Sequence, residues 1–135
     1  MKLVEIHAKE FWYKVTQKAM KNPPENRDGD HAEFENVLVT FVCVEKGDDI
    51  ETARNAIVAI KNHMDTVKVN TLVIYPYAHL SSDLAPVSIA FTILKEMENY
   101  AEVKGIKVHR APFGYYKEFN LHAYGHPLAE LSKRL

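Results

Sequence analysis

Two stretches of the sequence leave the chain little freedom. Residues 37–44 (Val-Leu-Val-Thr-Phe-Val-Cys-Val) and 71–75 (Thr-Leu-Val-Ile-Tyr) are nearly continuous in apolar side chains, the pattern of strands covered on both faces. Between them Ile50, Ala53, Ile57, Ile60, Met64 and Val67 recur at spacings of three and four. That is one apolar stripe of a helix, with Asp48 or Asp49 as its cap. After the second strand Pro86 suits the first turn of another helix. In it Val87, Ala90, Phe91, Leu94, Met97 and Ala101 face inward, and Gly105 ends it. Residues 106–109 form a third strand. Strand, helix, strand, helix, strand between 37 and 109 requires parallel crossovers, which are right-handed as a rule.

The two ends read differently. Residues 2–8 alternate as a strand, and Phe11-Trp12-Tyr13-Lys14-Val15 either continues it or pairs with it. Residues 21–31, with Pro23-Pro24 and Asp28-Gly29-Asp30, are a surface loop. Residues 115–121 form a fourth strand and 127–135 a short terminal helix. That helix is still running at Leu135, the pattern of a piece cut from a longer protein. With antiparallel strands added at both ends, the expectation is one mixed-sheet α/β domain over residues 1–135, without repeat or linker.

Composition narrows the class. A chain of 135 residues, 47% hydrophobic and 26% charged, can bury a real core. It has no apolar run near the ~20 residues a membrane helix needs. Residues 1–7 are too short and polar for a signal peptide. Cys43 is the only cysteine, which removes intramolecular disulfides and cysteine metal sites and points to an intracellular, cytoplasmic protein. A net charge of −1 argues against unaided grip on nucleic acid. It allows a domain that receives the end of a nucleic acid held elsewhere. Weak, salt-sensitive binding is expected unless Lys107, Arg110 and Lys117 form a local basic patch.

Polar groups that lack an obvious packing role cluster in two segments. The first, Tyr75-Pro76-Tyr77-Ala78-His79-Leu80-Ser81-Ser82-Asp83, follows a buried strand directly, where open α/β sheets bind ligands. His79 is the candidate there, against the alternative of a loop hydrogen bond. Ser81 and Ser82 read better as caps of the next helix. In the second, Ala111-Pro112-Phe113-Gly114-Tyr115-Tyr116-Lys117 follows the third strand, and Gly114 permits a close turn. Alternation puts Tyr115 and Lys117 on one face and Tyr116 on the other. Tyr115 reads as core, and Lys117 is either an ordinary surface lysine or, at the end of an aromatic stretch, a functional one. His126 and Glu130, four apart, share a face if the terminal helix forms. One such pair without a third ligand is too few for zinc, so no metal site is expected. Cys43 sits inside a buried strand, where an inert role fits better than a nucleophilic one.

Those two segments, with Gly125-His-Pro-Leu-Ala-Glu-Leu-Ser132, resemble the N-terminal editing domain of archaeal threonyl-tRNA synthetases. The resemblance covers essentially the whole chain and includes Ile6-His7, Lys21-Asn22-Pro23 and Phe41-Val-Cys-Val-Glu-Lys46. The chain departs from the family's usual pattern at Ala8-Lys9 and at Leu121-His-Ala-Tyr124. The resemblance implies a fold like that of D-aminoacyl-tRNA deacylases, a homodimer, and hydrolysis of serine wrongly attached to the 3′ end of threonine tRNA. It implies a synthetase catalytic domain as partner, in cis or on a separate chain. Carried over position by position, it makes His79, Tyr116, Lys117 and Glu130 the functional side chains, with the backbones of Val44, Ala78 and Phe113 holding substrate.

The implied chemistry is coherent. One missing methyl changes binding by only about 1–3 kcal/mol, so a synthetic site cannot fully reject serine in place of threonine. A second, smaller site can hydrolyse the seryl ester and spare the threonyl one. An aminoacyl ester is already activated, so no cofactor is expected. In this reading Lys117 orders a water and offsets developing negative charge. Tyr116 and His79 orient ribose or water, and Glu130 holds Lys117 or the substrate amino group. Two rivals share the scaffold: a free-standing D-aminoacyl-tRNA deacylase and a non-catalytic binding module.

Overall fold

The computed structural model describes residues 1–135. Its elements run β1 (Lys2–Lys18), β2 (His31–Cys43), α1 (Ile50–Val67), β3 (Thr71–Pro76), α2 (Val87–Val103), β4 (Lys107–Arg110), β5 (Tyr115–Ala123) and β6 (Glu130–Arg134). One sheet carries them in the order β4-β3-β2-β1-β5, with β6 also paired to β1. The expected parallel core is present: β2 pairs β3, and β3 pairs β4, in parallel. β1 is antiparallel to β2, β5 and β6. The architecture is thus the mixed α/β sheet that the sequence predicts.

The helices form where their caps dictate. Asp49 accepts the Thr52 N–H at 2.9 Å, and Thr52 returns a contact to the Asp49 backbone, a reciprocal cap that satisfies free N–H groups. Asp48 instead accepts the Glu45 N–H. α1 and α2 bury Ile57, Ile60, Met64, Ile93, Leu94 and Met97 against Leu3, Leu38, Leu72 and Ile74 of the sheet. Each such side chain contributes about 1.5–3 kcal/mol by leaving water. The α2 stripe differs at its start: Val87 is exposed, Ile93 is buried, and Phe91 stacks on Phe113. Gly105 ends α2 at φ +77°.

On the other face the core is aromatic, with Phe11, Tyr13, Phe41 and Tyr75 among Val37, Val39 and Val73. No helix covers it. The sheet curls instead, bringing the Phe119 ring of β5 to 5.4 Å from Tyr75 and 5.6 Å from Phe41. In a flat sheet β5 and β3, three strands apart, would be separated by about 14 Å.

Only one of the two ends departs from expectation. Residues 2–18 form one long strand, the first of the two alternatives, in which Phe11–Val15 continues residues 2–8. The predicted terminal helix is absent, and residues 130–134 are β6. β5 and β6 lie end to end along the edge of β1 that β2 leaves free, Ala123 opposite Ala8 and Glu130 opposite Ile6. Unpaired strand edges draw pairing, and Lys133 fastens β6 by reaching Glu5 at 3.3 Å and the Ala59 carbonyl at 3.2 Å. His63 of α1 holds the preceding turn through the Leu128 carbonyl at 2.8 Å.

Candidate active site

Where β2 and β3 end, their chains diverge over a cavity of about 540 Å³. Its walls are the exits of those strands (residues 42–44 and 75–79), the start of α2, the start of β5, and Ala19 and Met20 just beyond β1. Of the 21 lining residues 17 are hydrophobic, so any charge inside is poorly solvated.

Lys117 is that charge. Its ammonium donates to the Pro112 carbonyl at 2.8 Å and the Tyr115 carbonyl at 3.1 Å. It also stands 4.8 Å above the Tyr75 ring, a favourable place for a cation. Burial lowers its pKa to about 8, with the Arg27 cation pushing the same way and Glu25 opposing. The register of β5 sets its position. Val15 faces Lys117 and Gln17 faces Tyr116, so Thr16 is an extra residue in β1. Such a bulge bends the strand that carries it. Tyr115, Tyr116 and Lys117 all border the cavity, and their burial alternates as expected, Tyr115 buried, Tyr116 exposed and Lys117 half-buried.

The other expected residues divide into those present and those apart. Tyr116 stands at the mouth, 56% exposed. His79 lies on a single helical turn, Ala78–Leu80, exposed, with its ring edge-on to Tyr77 at 5.1 Å. Val44, Ala78 and Phe113 also line the cavity. The Val44 carbonyl already accepts the Ala85 N–H at 3.2 Å. Glu130 is not among the lining residues. It pairs with Ile6, which borders an adjoining apolar groove of Val4, Phe41, Tyr77, Leu80, Phe119 and Leu121. Glu130 does not hold Lys117, whose partners are carbonyls. Nor does it share a helical face with His126, because that helix does not form. His126 sits in the turn before β6, its Nε2 2.9 Å from Nδ1 of His7.

Two further expectations change. Ser81 and Ser82 do not cap α2, which begins after Pro86 without a side-chain cap. Ser81 donates to Glu45 at 2.6 Å and accepts the Asp83 N–H, pinning the loop that carries His79. The basic patch is not formed: Arg110 is 7% exposed and ion-paired to Glu25 and Glu98, while Lys117 lies in the cavity. Tyr115 is buried as expected, but its hydroxyl is fully used, as described below. Cys43 is buried in β2 and borders the cavity; burial, aided by Glu45, raises its thiol pKa, and Sγ rests 3.8 Å from the Ala78 carbonyl. No group of three or more His, Cys, Asp and Glu side chains is arranged to hold a metal ion. No helix is long and apolar enough to cross a membrane.

Sequence reasoning missed Tyr75 as the ring beneath Lys117, and Ala19, Met20, Leu84 and Val87 as walls. Val87 carried a signal, an apolar residue at the first helical position, which reads equally as core.

The family described as the archaea-specific editing domain of threonyl-tRNA synthetase matches residues 1–135. The threonine–tRNA ligase editing subunit of Saccharolobus solfataricus is 47% identical over 135 residues, covering 100% of this chain and 34% of that protein. The threonine–tRNA ligase of Staphylothermus marinus is 46% identical over 137 residues, covering 100% of this chain and 22% of that protein. The chain therefore spans about a fifth to a third of the length of these relatives. A solved structure described as a probable eukaryotic D-amino acid tRNA deacylase superposes with a TM-score of 0.64 at 8% identity, covering 98% of each chain. Its likeness shows the shared fold. From fold, full-length match and close relatives together, the chain belongs to the archaea-specific editing-domain family of threonyl-tRNA synthetases.

Proposed function

We propose that the cavity receives the 3′ end of a threonine tRNA wrongly charged with serine and hydrolyses the seryl ester. The observation that carries the reading is Lys117. It is a single ammonium held by two carbonyls and a π face in an otherwise apolar cavity at the carboxyl ends of parallel strands. Its fixed charge faces the space where negative charge would develop on the ester, and poor solvation strengthens that interaction. A water ordered by Lys117 attacks the ester carbonyl. The neighbouring ribose hydroxyl assists, and the tRNA 3′ oxygen leaves with a proton. Tyr116 and His79, at the mouth, orient ribose or water. The backbones of Val44, Ala78 and Phe113 suit the walls of a sieve, because backbone cannot change rotamer to admit an extra methyl. The ester is activated enough that this route calls on no cofactor.

The partners follow from the same reading: threonine tRNA, and a synthetase catalytic domain on the same or a separate chain. A second copy of this chain is proposed to cover the apolar groove bordered by Val4, Ile6, Leu80 and Leu121, which continues from the cavity through Tyr77 and Phe119. Glu130, opposite Ile6 on that side, keeps only the role of meeting the substrate amino group.

The test incubates the protein with Ser-tRNA(Thr), Thr-tRNA(Thr) and a D-aminoacyl-tRNA and follows ester loss. Selective loss of the seryl ester is expected. Preferential loss of the D-aminoacyl ester supports the deacylase rival, and binding without turnover supports the binding module.

A further inference from the structure

The chain between β1 and β2 (residues 19–30) does more than connect two strands. It leaves the sheet as an arm, supplies Ala19 and Met20 to the cavity wall, and is then clasped by groups from three elements. The Tyr115 hydroxyl donates to the Glu25 carbonyl at 2.9 Å and accepts the Arg27 N–H at 3.0 Å. Arg110 of β4 pairs with Glu25 at 2.6 Å and Glu98 at 3.1 Å, and Arg27 returns a bond to the Arg110 carbonyl at 3.3 Å. Tyr13 donates to Asp30 at 3.0 Å, and Asp30 is itself bonded by Arg27. At the arm's inner end Ala19 donates to the Gly114 carbonyl at 2.9 Å. There Met20 Sδ and Pro23 lie so close that a Cβ on Gly114 would meet both at 3.3 Å.

This construction touches Lys117 through one residue. The Tyr115 carbonyl accepts the Lys117 ammonium, while its hydroxyl holds the arm. A surface loop needs no buried arginine, yet Arg110 is 7% exposed and lies over the Phe91 ring at 5.3 Å. Buried ion pairs are weak devices for stability and better ones for fixing geometry.

We propose that the arm is part of the site, with Tyr115, Arg110 and Glu25 as positioning residues that hold Met20 against Gly114 and keep Lys117 on its two carbonyls, shielded from water. The proposal rests on the reading of Lys117 as the working group of an ester hydrolase. It adds residues that touch neither substrate nor the reacting atoms. Opening the arm lets water reach Lys117 and enlarges the cavity at Met20.

The experiment titrates Lys117 by NMR in the whole chain with isotope-labelled lysine, its signal assigned by loss in Lys117→Met. Wild type is compared with Tyr115→Phe, Arg110→Met and Arg110→Lys. Tyr115→Phe removes the clasping hydroxyl without changing charge, and it keeps the test decisive where Arg110→Met does not fold. The wild-type midpoint is expected near 8. Tyr115→Phe and Arg110→Met raise it by about half a unit or more as hydration returns, and Arg110→Lys restores part of the shift. Single-turnover kcat for the seryl ester falls several-fold, by roughly 3–10, with KM changed less than about twofold, the signature of a weakened transition-state interaction. An unchanged Lys117 midpoint and kcat in folded Tyr115→Phe overturns the proposal. The titration uses no substrate. A wild-type protein that hydrolyses no ester refutes the functional reading, while the midpoint alone still decides whether the arm shields Lys117.

Discussion

The two faces of the sheet solve the same burial problem with different materials. The helix-covered face is aliphatic, Leu38, Leu72 and Ile74 meeting Ile57, Ile60 and Leu94, and its polar groups sit at the margins, the Met1 ammonium with Glu45 and Asp48 and the Glu5–His63 pair beneath β6. The opposite face is aromatic and is covered by the sheet's own curl, Phe119 closing on Phe41 and Tyr75. Aliphatic side chains interlock and leave little void. Flat rings offer faces and edges instead, and where the curl stops short a cavity remains whose floor can take a cation. Stability is concentrated on the helix-covered face, and the cavity opens where the two faces meet at the strand ends, walled by Val44, Ala90 and Leu94 of one and Tyr75 of the other.

Removing the cation separates the two most strongly. Lys117→Met is expected to cut seryl-ester hydrolysis by about 10²–10³-fold, the loss typical of a fixed group that stabilises developing charge. The same change should raise stability at pH 7 by about 1–3 kcal/mol, because a buried ammonium is no longer held in an apolar space. The sign follows from a folded-state pKa lowered from 10.5 to about 8. The unfolded chain binds the extra proton between those values, so wild-type stability rises with pH across that window. Single-turnover deacylation and thermal melting at pH 7 check both halves.

The converse change belongs to the other face. Ile57→Ala should cost about 2–5 kcal/mol by leaving a cavity among aliphatic neighbours, while the folded fraction keeps its kcat within about twofold. Denaturant unfolding and kinetics on the same preparation test this, and a large loss of kcat in fully folded protein would break the separation of faces. Tyr75→Leu sits on the boundary. Removing the ring below Lys117 should lower the rate about 3- to 30-fold, in keeping with a cation–π contact of roughly 0.5–2 kcal/mol. Glu130→Gln should have the smallest effect, a few-fold rise in KM, because the carboxylate lies outside the cavity and an exposed charge contributes roughly 0–1 kcal/mol.

The same division governs what could be read from sequence. Strands 37–44 and 71–75 and the helices between were legible because burial on both faces, or along one stripe, leaves a periodic record. That Lys117, Tyr116, His79, Val44, Ala78 and Phe113 would border one cavity was legible through long segments resembling a family. β6 was not, because Glu-Leu-Ser-Lys-Arg carries one apolar side chain, and pairing with the free edge of β1 decides its state. The arm was hidden for another reason. Glu25, Arg27 and Arg110 are ordinary surface residues in sequence, and only the fold brings Glu25 and Arg27 to the Tyr115 hydroxyl and Arg110 to Glu25. The extra residue at Thr16 in β1 was hidden as well, because alternation does not register a bulge.

The central claim is that Lys117 works as an ammonium, and the pH dependence of single-turnover seryl-ester hydrolysis, corrected for the spontaneous reaction, tests it most directly. The rate should be level below and fall above a midpoint near 8, where burial places the titration of Lys117. A rate that rises through that midpoint would show the neutral amine acting as a base and would contradict the account.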